Sequence, residues 1–162
     1  RRIAFIQGPV ETPSGTKRLA GFRQALEGAG LPVDESLLVP GDYTRQAGRA
    51  GVAALLGMSD PPTAVFCAND LMALGALEEA QRRGYRVPQH LSIVGFDDID
   101  EAGWAAPPLT TIQQPPVRLG TAVAEALVER LNGRMEPLDE SLSFSLVVRG
   151  STAPPSLRNR RG

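Results

Sequence analysis

The feature that most constrains the fold of this chain is a regular alternation of short apolar runs with longer helical patterns. Five runs are continuously apolar, which is typical of strands that are buried on both faces. They are Ile3–Ile6, Leu37–Val39, Ala64–Cys67, Leu91–Phe96 and, more weakly, Leu109–Ile112. The helical patterns between the first four are Thr16–Glu27, Thr44–Leu56 and Asn69–Arg83. Strands and helices that alternate with short connections indicate βαβ units.

The predicted fold is therefore of the α/β class, with a parallel sheet and helices on both of its faces, because crossover connections are right-handed. After Ile112 the order of elements changes. Val117–Leu131 has an apolar stripe at helical spacing, and Leu142–Val148 predicts a last strand. The Pro- and Arg-rich residues 154–162 predict a mobile tail.

The composition limits the classes of function. A chain of 162 residues suits one domain with a sizeable core. Its net charge of −1 provides no electrostatic footprint for nucleic acid within the chain itself. One cysteine excludes an internal disulfide, and no apolar run reaches the ~18 residues of a membrane span. The chain begins with Arg1 and shows no signal-peptide pattern, so we expect it to be a fragment of a longer protein.

Polar side chains follow each predicted strand at its carboxyl end, the edge where open parallel sheets bind ligands. Gln7 ends the first strand and the loop after it leads to Lys17-Arg18; the other strand ends carry Asp42-Tyr43, Asn69-Asp70, Asp97-Asp98 and Gln113-Gln114. A carboxylate accepts hydrogen bonds from two adjacent hydroxyls, amides both donate and accept, and arginine donates in a planar fork. An aromatic ring stacks on a sugar or base face. This set of side chains suits a neutral polyhydroxy ligand, and it also suits a purine or another base.

Each of these candidates could instead have a purely structural role. Asn69 or Asp70 could cap the helix that follows; we favour the cap for Asp70, and for Asn69 the cap and the ligand contact stay equally open. Asp97 and Asp98 could simply form a turn, and Gln114 could be a linker residue. Tyr43 could be a surface aromatic, and Arg18 could be a solvated charge on a helix. The shared location at one edge of the sheet is what favours a ligand site.

The sequence disfavours an enzyme. The single histidine, His90, precedes the fourth strand and so lies at the opposite edge of the sheet from the candidate site. Cys67 lies within a strand that reads as buried, which suits a small core residue. No phosphate-binding loop of the G-x-x-x-x-G-K-[ST] or G-x-G-x-x-G kind occurs. We therefore predict no catalytic residues, no metal site and no cofactor.

Five blocks of the sequence then point to a known family. They are Arg18-Leu19-Ala20-Gly21-Phe22, Ala68-Asn69-Asp70-Leu71-Met72-Ala73-Leu74-Gly75-Ala76, Val94-Gly95-Phe96-Asp97-Asp98, Pro107-Pro108-Leu109-Thr110-Thr111-Ile112 and Leu146-Val147-Val148-Arg149-Gly150-Ser151-Thr152. In this order the blocks resemble the effector-binding core of the lactose-repressor (LacI/GalR) family. The resemblance extends from Arg2 to about Pro155.

The resemblance implies a bacterial transcriptional regulator with an N-terminal helix-turn-helix domain and a two-lobed core like that of the periplasmic sugar-binding proteins. A small molecule between the lobes would change the affinity for operator DNA. The resemblance assigns effector contacts to Arg18, Asn69 and Asp97, and it also matches Tyr43 and Gln114 to such positions. It implies a homodimer that contacts DNA through a domain absent from this chain.

The same resemblance divides the chain into four parts. Residues 1–114 would form the C-terminal lobe, 115–136 a crossover and a helix of the absent N-terminal lobe, 137–153 a closing strand and 154–162 the tail. The apolar stripe of the helix would then be exposed, and exposed stripes of that size usually find a partner. We expect this chain to self-associate through Leu119, Val123, Leu127 and Leu131.

Two functions from different classes remain open at this point. The first is a cytoplasmic, effector-gated transcriptional regulator whose ligand is a sugar, with a nucleobase or nucleoside as the second choice. The alternative is a secreted solute-binding protein of an ABC-type transporter, which has the same core fold. A helix-turn-helix or a signal peptide upstream of Arg1 would discriminate between the two.

Overall fold

The computed structural model describes residues 2–136 and 142–154, and it contains the predicted parallel sheet. Its strands are β1 (Ile3–Ile6), β2 (Leu38–Val39), β3 (Ala64–Cys67), β4 (Ser92–Val94), β5 (Thr111–Gln113) and β6 (Ser145–Val147). Its helices are α1 (Pro13–Gly28), α2 (Arg45–Leu56), α3 (Asp70–Arg82), α4 (Asp100–Trp104) and α5 (Pro116–Leu131). The first four strands are parallel in the order β2–β1–β3–β4, and β5 pairs with β6 in a separate antiparallel ribbon.

Different helices cover the two faces of the sheet. On one face the rings of Phe5 and Phe66 stack with centroids 4.9 Å apart, and Phe22 of α1 stacks on Phe5 at 5.1 Å. Ile6 follows Phe5 in β1 and therefore points to the opposite face. There α2 lies against it, because a Cβ added to Gly51 would be 2.9 Å from the Ile6 Cδ1. The prediction of helices on both faces is confirmed.

The strand β5 continues the sheet edge beside β4. Isolated parallel bridges join Val94 to Thr110 and Asp97 to Gln113. The Ser151 hydroxyl ties this junction together, since it accepts a hydrogen bond from the Thr110 N–H and donates one to the Ile93 carbonyl. The carboxyl ends of β4 and β5 consequently open at the same edge as those of β1, β2 and β3.

The helix α5 contains no buried residue. Its predicted apolar stripe is exposed, with Leu127 at 61% and Leu131 at 87% of full exposure. Among the described residues, no helix combines the length and the apolar character that crossing a lipid bilayer requires.

Several predicted boundaries were wrong. The helix α1 begins at Pro13 rather than Thr16, because the Thr12 hydroxyl accepts the hydrogen bond of the Gly15 N–H and proline suits the first helical turn. The strand β4 ends at Val94, two residues earlier than predicted, because the chain turns at Asp97 with a φ of 124°. The helix α4 was not predicted, since five residues are too few to show a helical period.

The end of the chain was predicted less well. The last strand is Ser145–Val147, shorter than the predicted Leu142–Val148. Residues 137–141 of the predicted closing segment and 155–162 of the predicted tail lie outside the described residues.

Candidate ligand-binding site at the carboxyl edge of the sheet

The structure brings three of the five predicted site residues into direct contact. Asp97, which follows β4, accepts a hydrogen bond at Oδ1 from the Gln114 Nε2 at 2.6 Å. The same oxygen lies 3.7 Å from the Arg18 Nη2, so the carboxylate and the guanidinium form an ion pair. Asp97 and Gln114 follow β4 and β5, and Arg18 lies in α1; the three meet only because the parallel strands place their carboxyl ends together.

Arg18 is oriented by contacts on several sides. Its Nη1 donates a hydrogen bond to the Ala68 carbonyl at 2.5 Å. Its guanidinium carbon lies 3.8 Å from the centre of the Phe96 ring and 5.8 Å from that of Tyr43. A guanidinium above an aromatic face is attracted by the ring quadrupole. The side chain is therefore held between the sheet edge and an aromatic surface, with part of its donor fork directed at Asp97.

Two consecutive aspartates follow β4, and they have different partners. Asp97 and Asp98 both have positive φ, at 124° and 59°. The Asp98 side chain forms an ion pair with Arg149 at 2.6 Å and accepts a hydrogen bond from Gln113 at 2.7 Å. The Asp98 side chain is 8% exposed, whereas that of Asp97 is 30% exposed. Of the pair, Asp97 is thus the carboxylate that a ligand can reach.

The electrostatics of Asp97 follow from its position at the edge of the core. Partial burial raises the pKa of the Asp97 carboxyl, because the charged form loses hydration. The hydrogen bond from Gln114 and the positive charge of Arg18 act in the opposite direction. A ligand hydroxyl that donates to this carboxylate would replace part of the lost hydration.

Asn69 and Tyr43, the other two predicted site residues, are joined by a hydrogen bond. The Asn69 Oδ1 caps α3 by accepting the Met72 N–H at 3.0 Å, and its Nδ2 donates to the Tyr43 carbonyl at 3.0 Å. Tyr43 has a φ of 67°, and its hydroxyl lies 3.0 Å from the Ser14 Oγ. Asn69 therefore does cap the helix, and its amide also holds the loop that carries Tyr43.

The expectation that Asp70 caps α3 was wrong. The cap is Asn69, and the Asp70 carboxylate bonds instead to the Thr111 hydroxyl at 2.5 Å and the Ile99 N–H at 3.0 Å. Asp70 is the first residue of the helix and fully buried, so its side chain connects separate segments rather than the helix end.

A cleft of about 480 Å³ opens beside the charged cluster. It is lined by Ser14, Lys17, Arg18, Gly21, Phe66, Phe96, Ile112, Gln114 and Phe144. Arg18 and Gln114 are thus lining residues, while Asp97 contacts both without lining the cleft itself. The three phenylalanines were not predicted as site residues. Phe96 had the clearest signal, since it is the last apolar residue before Asp97 at a strand end.

The groups that could support catalysis or metal binding lie elsewhere. His90 lies two residues before β4, at the amino end of that strand, and its Nδ1 accepts a hydrogen bond from the Arg86 N–H. Cys67 is fully buried, and burial raises the pKa of its thiol, so the nucleophilic thiolate is disfavoured. Over residues 2–136 and 142–154, no cluster of histidine, cysteine, aspartate or glutamate could hold a metal ion.

Comparison with known proteins shows the family to which this chain belongs. The sequence pattern of the periplasmic binding protein-like domain matches residues 1–152. The chain belongs to this family. Among the curated relatives of this periplasmic binding protein-like domain is the HTH-type transcriptional repressor CytR of Escherichia coli K12, 44% identical over 153 residues. Another is the HTH-type transcriptional repressor PurR of Escherichia coli O1:K1, 41% identical over 162 residues.

Solved structures place the domain in the lactose-repressor type of this family. A complex of the transcriptional regulator CelR with cellobiose superposes with a TM-score of 0.89 at 42% identity, covering 93% of this chain and 46% of that one. A sugar-binding LacI-family regulator from Escherichia coli, complexed with phosphate, has a TM-score of 0.86 at 33% identity and covers 94% and 55%.

The domain accounts for only part of these proteins. The match to CytR covers 94% of this chain and 45% of CytR. The match to PurR covers 99% of this chain and 48% of PurR. The chain therefore spans about half the length of the curated relatives that it matches. Because these relatives are transcriptional repressors, they favour the regulator over the secreted solute-binding protein.

Proposed function

We propose that this chain is the effector-binding part of a lactose-repressor type transcriptional regulator, and that its effector is a neutral polyhydroxy molecule, a sugar in the first place. The observation that carries the proposal is the cluster of Arg18, Asp97 and Gln114 beside an aromatic-lined cleft. The relatives named above are repressors and regulators, and one was solved with cellobiose.

The chemistry of the cluster suits hydroxyl groups. A carboxylate such as Asp97 accepts hydrogen bonds from two neighbouring hydroxyls at once, and charged acceptors form the stronger bonds. Gln114 and Arg18 supply donors beside one oxygen of that carboxylate. The rings of Phe66 and Phe96 offer apolar faces on which the C–H face of a sugar ring can lie. Polar groups next to apolar rings would orient the ligand.

A nucleobase or nucleoside is the second candidate, and the aromatic lining favours it. Three of the cleft residues are phenylalanines, and the Phe96 and Phe144 rings have centroids 5.8 Å apart. A planar base can stack on such rings, while Asp97 and Gln114 bond to its edge or to a ribose. A titration with both compound classes separates these candidates.

The remaining parts of the proposal concern the whole protein. Residues 1–114 form the C-terminal lobe, 115–136 a crossover and a helix of a second lobe, and 137–153 the closing strand. The exposed stripe of α5 supports this division, since a covering lobe would bury it. The whole protein is a cytoplasmic homodimer that binds operator DNA through a helix-turn-helix outside this chain, and it is not an enzyme. The names of the repressor relatives support the DNA-binding role.

The test of the ligand site uses thermal melts and calorimetry of the intact protein with cellobiose and with adenosine. One of the two should stabilise the wild type, by about 2.7 kcal/mol at a hundredfold excess over Kd. Asp97→Ala should abolish this stabilisation, because the hydroxyl acceptor is removed. Asp100→Ala, at an exposed position of α4, is the matched control and should keep it.

Either of two outcomes would count against the proposal. An unchanged melting shift in Asp97→Ala would place the ligand elsewhere. No shift of the wild type with either compound would exclude both as effectors. The regulatory role is tested separately, by a gel shift of the intact protein on DNA upstream of its own gene, with and without the stabilising compound.

A further inference from the structure

Asp70 links three segments of the structure from a fully buried position. Its Oδ1 accepts the hydroxyl of Thr111 in β5 at 2.5 Å, and its Oδ2 accepts the Ile99 N–H at 3.0 Å. Its own backbone N–H donates to the Phe96 carbonyl at 2.8 Å. One residue at the start of α3 thus bonds to both ends of segment 96–99 and to the neighbouring strand.

These bonds surround the proposed effector contacts. Phe96 and Ile99 flank Asp97 and Asp98, the two residues with positive φ. Non-glycine residues keep such conformations only where their surroundings hold them. The segment also passes directly against the carboxylate, since a Cβ added to Gly95 would be 2.1 Å from the Asp70 Oδ1.

Packing alone does not account for a carboxylate at this place. Removing a charged group from water is costly unless hydrogen bonds compensate for the lost hydration. Burial raises the pKa of Asp70, and hydrogen bonds from Thr111 and from the backbone amides of Ile99 and Asp98 offset this in part. An apolar residue would fill the volume without this cost, but it would leave the Ile99 N–H without an acceptor.

We propose that Asp70 is a positioning residue for the effector site. Its hydrogen bonds hold the backbone of residues 96–99 so that the Asp97 carboxylate contacts Gln114 and Arg18. The proposal rests on the proposed function of this site. Without the acceptor at Asp70, the segment relaxes toward negative φ and the Asp97 side chain leaves its partners. The relaxed segment then binds the effector less tightly, although Asp70 makes no contact with the cleft.

The test compares Asp70→Ala and Asp70→Asn in the intact protein, with Asp100→Ala as the control for a lost aspartate. Binding of cellobiose or adenosine, whichever stabilises the wild type, is measured where circular dichroism shows each variant folded. Asp70→Ala should weaken binding by about tenfold or more, since buried donors are left unsatisfied. Asp70→Asn should restore most of the affinity, because its amide oxygen accepts the Ile99 N–H and its amide nitrogen donates to the Thr111 oxygen. Asp100→Ala should bind like the wild type.

A second readout does not depend on the ligand. In NMR spectra, the backbone amide of Asp97 and the side-chain amide of Gln114 should shift in Asp70→Ala and stay near their wild-type positions in Asp70→Asn. If neither compound stabilises the wild type, the proposed ligand classes fail while these signals still decide the positioning role.

Two results would overturn the proposal. In the first, the Asp70→Ala variant is folded, binds with wild-type affinity and leaves the Asp97 and Gln114 signals in place. The second is an equal loss of affinity in Asp70→Asn and Asp70→Ala, since the charge would then matter rather than the hydrogen bonds. Should Asp70→Ala not fold, Thr111→Val removes one of the hydrogen-bond donors to the Asp70 carboxylate, and it should weaken binding and shift the Gln114 signal.

Discussion

Three aspartates lie within 30 residues of one another, and their surroundings give them separate tasks. Asp97 keeps part of its surface exposed and meets Arg18 and Gln114. Asp98 turns to Arg149 of the segment after β6, and Asp70 is enclosed between α3, β5 and the 96–99 segment. Identical side chains thus differ in role because the backbone φ at positions 97 and 98 sends neighbouring carboxylates in different directions.

A glutamate of α3 shows how such contacts make stability depend on pH. Glu79 accepts hydrogen bonds from Arg82 and Arg83, which lower its pKa from 4.5 to about 2. Between these two values the unfolded chain binds more protons than the folded one. The stabilisation is therefore complete above pH 4.5 and is lost as the pH falls toward about 2.

We expect Glu79→Gln to lower the free energy of unfolding at pH 6 and to have a smaller effect at pH 3, because the carboxylate of the unfolded wild-type chain is protonated at pH 3 and part of the stabilisation is already lost. Urea unfolding at the two pH values measures the difference. Glu125→Gln removes an exposed charge on α5 and controls for net charge. If the difference in free energy of unfolding between wild type and Glu79→Gln were the same at both pH values, the lowered pKa of Glu79 would be contradicted.

At the scale of the elements, the pairing of α2 with α3 depends on two glycines where the backbones touch. A Cβ added to Gly48 would be 1.9 Å from the Met72 carbonyl oxygen, and one added to Gly75 would be 2.0 Å from the Arg45 carbonyl oxygen. These obstacles are backbone atoms, which cannot rotate away as a side-chain end can. Glycine is thus required here for close approach and not for its conformational freedom.

Gly48→Ala should consequently destabilise the domain by about 1–3 kcal/mol, since the two helices must move apart. Gly21→Ala provides the matched control, because a Cβ at this position of α1 meets no atom within 4 Å. It should raise stability by about 0.5–1 kcal/mol through helix propensity. Thermal and urea unfolding of both variants give the comparison. If Gly48→Ala and Gly21→Ala changed the free energy of unfolding equally, α2 and α3 would not approach each other this closely.

At the scale of the whole molecule, the four-stranded sheet is covered by helices, whereas the helix α5 is uncovered within the described residues. The α1 and α2–α3 layers enclose the sheet, whereas α5 exposes its apolar stripe along its whole length. Helices of this kind gain most of their stability from packing their apolar face against a partner. For the chain by itself, a second copy can supply that partner.

Light scattering of the 162-residue chain at tens of micromolar should therefore show a species larger than the monomer. Leu127→Glu, in the middle of the α5 stripe, should return it to a monomer, because a charge cannot be buried there without a partner. Val10→Glu makes the same exchange at a position 60% exposed outside α5, and it should leave the assembly unchanged. A monomeric wild type would refute association through this helix.

The amino-acid sequence by itself was sufficient to predict the order of strands and helices, the parallel sheet and the edge at which the candidate side chains lie. These features follow from local periods, which each segment shows without its neighbours. It also contains the residue types of the site, since polar groups such as Arg18, Asp97 and Gln114 lie at successive strand ends. What it could not show was which of these groups meet.

Only the tertiary structure decided that Asp97 rather than Asp98 is accessible, that Asp70 bonds to Thr111 and Ile99, and that Asn69 caps α3 while holding the Tyr43 loop. It also decided that Phe66 and Phe96 line the cleft. These outcomes depend on contacts between segments far apart in the chain, on backbone φ at single residues and on burial. None of these features produces a periodic pattern in the sequence, so each is defined only once the strands have come together.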